Sequence, residues 1–487
     1  MPALADTMFQ LNARLHVSAP AIVNTRRVVD RPFARVPGIQ RIGLVILLEI
    51  FKIALSVSDN TAVEDVLSAL PRGYLGLVCK AWHRLILKHP SLWATIVVHP
   101  HSYLCEESWE SGPFATYLLR SLNRPLSIYI IPGQSRRGSG GSKVLEWALA
   151  DAVSKVGKRI QSLVVEARWK SSLDRLGNVL DAQLYPLLKR LSINAAIDDT
   201  GPSDVIRLTA NGRSALTTLS IDAKHLLTLL SSFQNFNLHR PLNSLTSLTI
   251  IDVLPDASGF PEDGMGRIID LANSLPRLSS LAFNRFIVLE GSLKSAHWRH
   301  RAPPPLSILV LAVKNSNATA IKYLLHHLAP KRLTLEACKF TNTAIVRLPA
   351  CIDSLTLRGI GGTDAELSVL PMVASFVGSH LVVRNCAFFT HHFLHLVHGR
   401  AHLNLMGFAF PGLRRLHIEN CRRMTANGLF NFLVWRASLE VTQVAEARTT
   451  PRLVVRMYSI FQTALRVYAV TSIRMILAGS NYTRLLW

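Results

Sequence analysis

Five histidines, His391, His392, His395, His398 and His402, form the densest group of titratable side chains in the chain. Their i, i+3 and i, i+4 spacings would set three imidazoles on one helix face, where zinc is the natural guest. No carboxylate stands nearby to orient the rings, and Phe393, Leu394, Leu396 and Val397 interleave with them, so the segment reads as a partly exposed helix without a metal. The cysteines, Cys79, Cys105, Cys338, Cys351, Cys386 and Cys421, are scattered with no C-x-x-C pair. That pattern argues against a zinc ribbon or a disulfide scaffold and for free thiols in a reducing compartment. A Gly/Ser-rich stretch, Gly133 to Lys143, follows an apolar run but lacks Gly-Lys-Ser/Thr at the interval a phosphate loop requires. It reads as a flexible loop, 133–143, with Arg136-Arg137-Gly138-Ser139 as a kinase-type site. No G-x-S-x-G, H-E-x-x-H or paired-carboxylate motif occurs. The expectation is therefore a protein with no catalytic residue, no metal and no cofactor.

The residues that stand out are apolar and aromatic. Leu75, Val78, Cys79, Trp82, Leu85 and Ile86 recur at helical spacing, while Lys80, His83, Arg84 and Lys88 fall on the opposite face. Pro90 disfavours helix at His89, Trp93 follows, and Ala94 to Val98 is a short β-branched run, which together read as helix, turn, strand. Each tryptophan can bury roughly 150–250 Å², enough to anchor a small helical module. Upstream, Ile42 to Phe51 reads as a second apolar helix.

The run Val78-Cys79-Lys80-Ala81-Trp82 followed by Pro90-Ser91-Leu92-Trp93 resembles the second half of an F-box, whose wording is V-C-x-x-W and then P-x-L-W. Leu47, Glu49, Ile50 and Phe51 resemble its first helix. Gly43 stands where that family has a helix-opening proline and Val45 where it has a glutamate, both weaker starts for a helix. Ser56 to Pro71 is a longer polar connection than a compact F-box has, at a small entropic cost. The resemblance implies a surface for a Skp-type adaptor, and through it a cullin, made by Ile42, Leu44, Leu47, Leu48, Ile50, Phe51, Leu75, Val78, Trp82 and Trp93.

From about residue 125 a short wording returns: apolar, two residues, Leu, one residue, apolar. It runs through Ile160-x-x-Leu163-x-Val165, Leu188-x-x-Leu191-x-Ile193, Leu216-x-x-Leu219-x-Ile221, Leu245-x-x-Leu248-x-Ile250 and Leu278-x-x-Leu281-x-Phe283. It continues as Leu306-x-x-Leu309-x-Leu311, Pro330-x-x-Leu333-x-Leu335, Ile352-x-x-Leu355-x-Leu357, Gly378-x-x-Leu381-x-Val383 and Leu413-x-x-Leu416-x-Ile418. The interval is close to the period of leucine-rich repeats, in which each unit is a strand and a return. Cys338, Cys386 and Cys421 each fall three residues after the last strand position, which resembles the cysteine-containing subclass of such repeats. A small buried thiol turning the chain off the strand is the role implied. Helical returns fit at Asp263 to Leu275, Ala318 to Leu328 and Thr425 to Arg436.

Residues flanking the buried leucines would form a concave reading face. Near its end these include Lys331, Arg332, Arg358, Arg384, Arg414, Arg415 and His417 against Glu336, Asp353 and Glu419, so an acidic or phosphorylated target protein is expected there.

The expected fold class is α/β: a small N-terminal helical F-box followed by a leucine-rich-repeat solenoid, a curved horseshoe with a strand and a helix per repeat. The expected organisation is a disordered basic leader at 1–40, the F-box-like domain at 41–95, a linker with first solenoid elements at 96–159, repeats at 160–440 and a cap or irregular tail at 441–487. The net charge is +23, but the basic residues are dispersed rather than clustered, which disfavours nucleic acid as the partner. No apolar run reaches about 18 residues, so no membrane span is expected. The implied function is substrate recognition for a Skp-cullin-F-box ubiquitin ligase in the cytoplasm or nucleus, without catalysis by this chain. The alternatives are a non-ligase interaction scaffold and, behind it, a basic nucleic-acid-associated protein.

Overall fold

In the computed structural model, the structure describes residues 43–55, 78–98, 113–131, 155–170, 173, 184–197, 215–232, 242–255, 260, 263–289, 308–341, 345–361, 365–403, 410, 412–425, 427–434 and 454–458. The expected leader 1–40, the loop 133–143, Ile42, Leu75, Cys105 and most of the tail lie outside the described residues. The chain divides into two compact units, one made of the described residues up to Thr95 together with Thr116–Arg124, the other of Ile96–Ala115 and the chain from Pro125 onward.

The first unit contains helices α1 (Leu44–Leu55) and α2 (Lys80–Lys88) and a 3-10 turn at Pro90–Trp93. It also takes in most of α3 (Pro113–Ser121). Leu47, Phe51, Leu85, Ile86, Leu92 and Trp93 are its buried core, with Leu48, Trp82 and Tyr117 packed against them. Helix α2 begins at Lys80 because Cys79 is extended (φ −160°, ψ 166°), which leaves Val78 and Cys79 exposed rather than on the buried face the periodicity suggested. Pro90 opens the turn, and the Trp93 indole N–H donates to the Ile86 carbonyl oxygen at 2.8 Å, tying the turn to the C-terminal end of α2. Phe51 meets Trp82 edge-on at 4.8 Å between centroids, and the Arg120 guanidinium lies 4.4 Å from the Trp93 ring centroid, a cation–π contact.

The second unit is built on one sheet of thirteen strands in strict chain order, parallel from β2 to β13. They are β1 (Thr95–Val98), β2 (Leu126–Ile130), β3 (Ile160–Trp169), β4 (Arg190–Ile197), β5 (Thr218–Asp222), β6 (Ser247–Val253), β7 (Ser280–Phe286), β8 (Val310–Lys314), β9 (Arg332–Glu336), β10 (Ser354–Arg358), β11 (His380–Arg384), β12 (Arg415–Glu419) and β13 (Val454–Tyr458). One strand together with the chain that leads to the next is counted as one coil. Helices α4 (Ala223–Ser232), α5 (Gly264–Ser274), α6 (Ala318–His327), α7 (Ala365–Ala374) and α8 (His391–Leu403) lie in the returns, and 427–434 is also helical.

Leu163, Leu191, Leu219, Leu248, Leu281, Leu311, Leu333, Leu355, Leu381 and Leu416 stand in one register across neighbouring strands and are buried. Alternation with period two then sends the intervening residues to the other face. Helix starts are capped by side chains that the strands deliver. Asp222 accepts from the Lys224 and His225 amides, Asn317 from Ala320, and Thr390 from Phe393.

The expected fold class is overturned. The leading helices do not form a helical F-box on their own, because their core is completed by Tyr117, from a helix that lies after the first strand in the chain. The sheet begins two residues after Trp93, and β1 and β2 are apolar enough to pair into it directly. Nor is there a horseshoe of strand-plus-helix repeats: the return from β9 to β10 contains no helix among its described residues. The architecture is a single α/β sheet, parallel from β2 to β13, with interleaved helices. One unit of the wording is also displaced by two residues. Leu311 pairs with Leu333 and Val313 with Leu335, so that unit reads Ile308-x-x-Leu311-x-Val313, and Leu309 is 42% exposed.

A residue of positive φ recurs at the penultimate position of β6 and β7, Asp252 (57°) and Arg285 (60°), and just after β10, β11 and β12, Gly359 (61°), Asn385 (52°) and Asn420 (53°). Asn315 (50°) and Ala337 (51°) take the same place after β8 and β9. Asparagine, aspartate and glycine tolerate the left-handed region, whereas alanine and arginine carry its full steric cost. From Asn315 through Asn385, this residue donates its N–H to the carbonyl at the strand end in the next coil, at 2.8–2.9 Å.

Candidate functional site

The residue after each of those left-handed positions turns inward. At that place stand Val253, Phe286, Ser316, Cys338, Ile360, Cys386 and Cys421, all buried. The Cys338 thiol donates to the Val313 and Glu336 carbonyls at 3.3 and 3.4 Å, and Cys386 donates to Arg384 at 3.2 Å. Burial pushes the Cys338 thiol up to about 11 and the Cys386 thiol up to about 12, and it raises Cys421 as well. These are structural thiols held protonated at neutral pH, not nucleophiles.

The exposed face of β9 to β12 carries the cations singled out in the sequence. Pairing sets three rows across these strands. The strand-start row is Arg332, Ser354, His380, Arg415; the middle row is Thr334, Thr356, Val382, His417; the strand-end row is Glu336, Arg358, Arg384, Glu419. Lys314 of β8 extends the last row.

The structure divides these cations into two groups that sequence types could not separate. In the strand-end row Glu336 holds Lys314 at 2.8 Å and Arg358 at 3.7 Å, and Glu419 holds Arg384 at 2.9 Å and His417 at 3.4 Å. Arg332 and Arg415 are exposed and form no ion pair with any described residue. Lys331 and Arg414, just before their strands, are exposed as well. Asp353 is the carboxylate at that edge. The Ser379 hydrogen bond, with smaller help from His380 and Arg414, outweighs desolvation and holds it below the usual carboxylate range.

A second polar cluster, absent from the sequence reading, lies at the ends of β3 and β5. Lys170 Nζ donates to Asp222 Oδ1 at 2.9 Å, both side chains largely buried, and the fully buried His225 places Nδ1 3.5 Å from the same oxygen. Burial alone would raise the Asp222 carboxyl, but His225 and Lys170 outweigh it and leave it lowered. Next to it, Arg285 pairs with Asp252. The available signal was a lysine closing an apolar strand and an aspartate just before a helix, but the two lie 52 residues apart.

Of the residues assigned to adaptor binding by resemblance, Leu47, Phe51 and Trp93 are spent in the core of the first unit and Leu48 and Trp82 are packed against it. Ile50 and Val78 are each 44% exposed. Outside that set, Val45 at 75% and Ile46 at 60% are more exposed, and with Ile50 they occupy one side of α1. The side chain of Leu44 lies outside what the structure describes. Among the described residues no group of three or more His, Cys, Asp or Glu could hold a metal ion, and no helix is long and apolar enough to cross a membrane. Comparison of the chain with protein-family models and with curated proteins gives no match.

Proposed function

We propose that this chain is a non-catalytic adaptor that holds a target protein on the exposed sheet face and, through its small helical unit, a Skp-type partner of a cullin ubiquitin ligase. The observation that carries the target-binding half is the run of in-register parallel strands whose exposed face bears short polar residues and arginines. Such a face offers an extended surface rather than a pocket. Ligand crevices in parallel sheets form where strand order reverses, and this order runs from one end to the other without reversal. Support for the ligase half is the F-box-like wording of Val78 to Trp93 and the exposed apolar side of α1 in the same unit.

In this role the chain supplies proximity: tethering a target beside a charged ubiquitin raises its effective concentration, and no reacting group is needed here. The cytoplasm or nucleus follows as the site of action. A scaffold outside any ligase is the second reading, favoured by the burial of Leu47, Phe51 and Trp93 in the unit's own core.

The experiment is a pull-down of the full chain with a Skp-type adaptor, compared with Val45→Asp/Ile46→Asp/Ile50→Asp, which alters exposed positions and leaves the core. Capture by the parent and loss in the triple variant is expected. No capture by the folded parent removes the ligase half and leaves the scaffold.

A further inference from the structure

We propose that His391 and His395 together bind one divalent transition-metal ion of the zinc and copper class on the exposed side of α8, with water in the remaining places on the ion. The site is independent of the adaptor role.

The apolar residues that interrupt the histidines are what turn them outward. Phe393, Leu394 and Val397 are buried, so that side of α8 is committed to the core, and His391, His392 and His395 are left exposed. The first turn is fixed as well. The Phe393 amide donates to the Thr390 hydroxyl at 2.9 Å and the Leu394 amide to the Thr390 carbonyl at 3.2 Å. Gly428, in the helical segment 427–434, lies so close that a Cβ there would collide with the Cβ of His391. A turn held in this way presents its side chains without the ordering cost that a loose segment meets on binding.

Residues at i and i+4 of a helix have Cβ atoms about 5–6 Å apart on one face, which is the relation of His391 to His395. Helical side chains lean toward the N-terminus, so His395 reaches over the turn that carries His391. Two nitrogens on a tetrahedral ion, each about 2.0–2.1 Å from it, stand about 3.3 Å apart, a gap that two imidazole arms close without moving the backbone. The same spacing serves zinc in helices reading H-E-x-x-H. Neither His391 nor His395 has a hydrogen-bond or ion-pair partner among the described residues, whereas His392 is otherwise engaged. No third described ligand joins the pair, and the side chains of His398 and His402 lie outside what the structure describes. Imidazole is a donor suited to Zn²⁺, Ni²⁺ and Cu²⁺ and not to Mg²⁺, which takes oxygen.

Diethyl pyrocarbonate modification of the full chain, read histidine by histidine by peptide mass spectrometry, tests the pairing. Without metal, His391 and His395 should both react readily. ZnCl₂ should slow both by about tenfold or more at one common concentration, and MgCl₂ should slow neither. CuCl₂ should reach the same protection at a lower concentration than ZnCl₂. In His391→Asn, His395 should need about tenfold or more ZnCl₂ for the same protection, and His391 should behave likewise in His395→Asn. His392→Asn should leave both within about twofold of the parent. All three substitutions are at exposed positions, so circular dichroism should show an unchanged fold. Protection of one histidine alone, protection of His395 that survives His391→Asn, equal protection by MgCl₂, or no protection by ZnCl₂ would overturn the proposal.

Discussion

Ala337 and Gly359 occupy equivalent places in neighbouring coils, at φ 51° and 61°, and a reciprocal exchange between them isolates the cost of the left-handed turn. An L-residue pays about 1–2 kcal/mol for that conformation, and glycine pays about 0.4–1 kcal/mol more unfolded-state entropy than alanine. Nothing lies within 4 Å of a Cβ built on Gly359, so Gly359→Ala adds strain without a clash. Ala337 is exposed, so Ala337→Gly loses little burial. The backbone cannot relax out of the region cheaply, because the Ala337 N–H donates to the Arg358 carbonyl at 2.8 Å and the Gly359 N–H to Arg384 at 2.9 Å. The net expectation is a gain of about 0.5–1 kcal/mol for Ala337→Gly and an equal loss for Gly359→Ala, with the double exchange near neutral. Urea unfolding at fixed m, with amide exchange of Ala337 and its neighbours as a local readout, measures both. A lower midpoint for Ala337→Gly, or none of the expected loss for Gly359→Ala, would refute the view that these turns are limited by backbone strain.

Further outcomes follow from the buried groups. Lys170→Met leaves the Asp222 carboxylate buried without its cation and should cost about 3–5 kcal/mol in denaturant unfolding, with part recovered in Lys170→Met/Asp222→Asn. The folded Asp222 carboxyl is lowered, so its contribution is present above its unfolded value near 3.9 and is lost as pH falls through the folded value. Unfolding midpoints measured from pH 6 downward should therefore fall less steeply in Asp222→Asn than in the parent. At pH 8, alkylation read by mass spectrometry should label the exposed Cys79 and Cys351 promptly and spare Cys338, Cys386 and Cys421 until denaturant is added. Trp93→Phe removes the indole hydrogen bond to Ile86 and should destabilise the first unit by about 1–3 kcal/mol, seen in its thermal unfolding.

The leucine register was legible because burial on one sheet face imposes the same spacing on every strand, so Leu191, Leu219 and Leu248 hold the same place in their units. The displaced unit at Ile308 shows the limit. Leu306, Leu309 and Leu311 satisfy the wording as well as Ile308, Leu311 and Val313 do, and only backbone pairing with β9 selects the second frame. Cation types on the exposed face were equally visible. Their division was not, because the carboxylate that neutralises Arg384 is Glu419, one strand across but a whole coil away in the chain. The fold class failed for a related reason. Wording around Trp82 and Trp93 specifies a helix and a turn, and these formed, but it says nothing of the later helix whose Tyr117 completes their core.

The coils differ in length while the strands and the left-handed residue after them keep one register, so the molecule counts turns of chain and not residues. A segment running from one left-handed residue to the next begins and ends in the same geometry. Duplicating or removing such a segment joins matching ends, and the new neighbours present the same ladder to each other. The span of the exposed face is thus adjustable by genetic duplication in whole strand widths, and with it the separation between any two anchors placed on it.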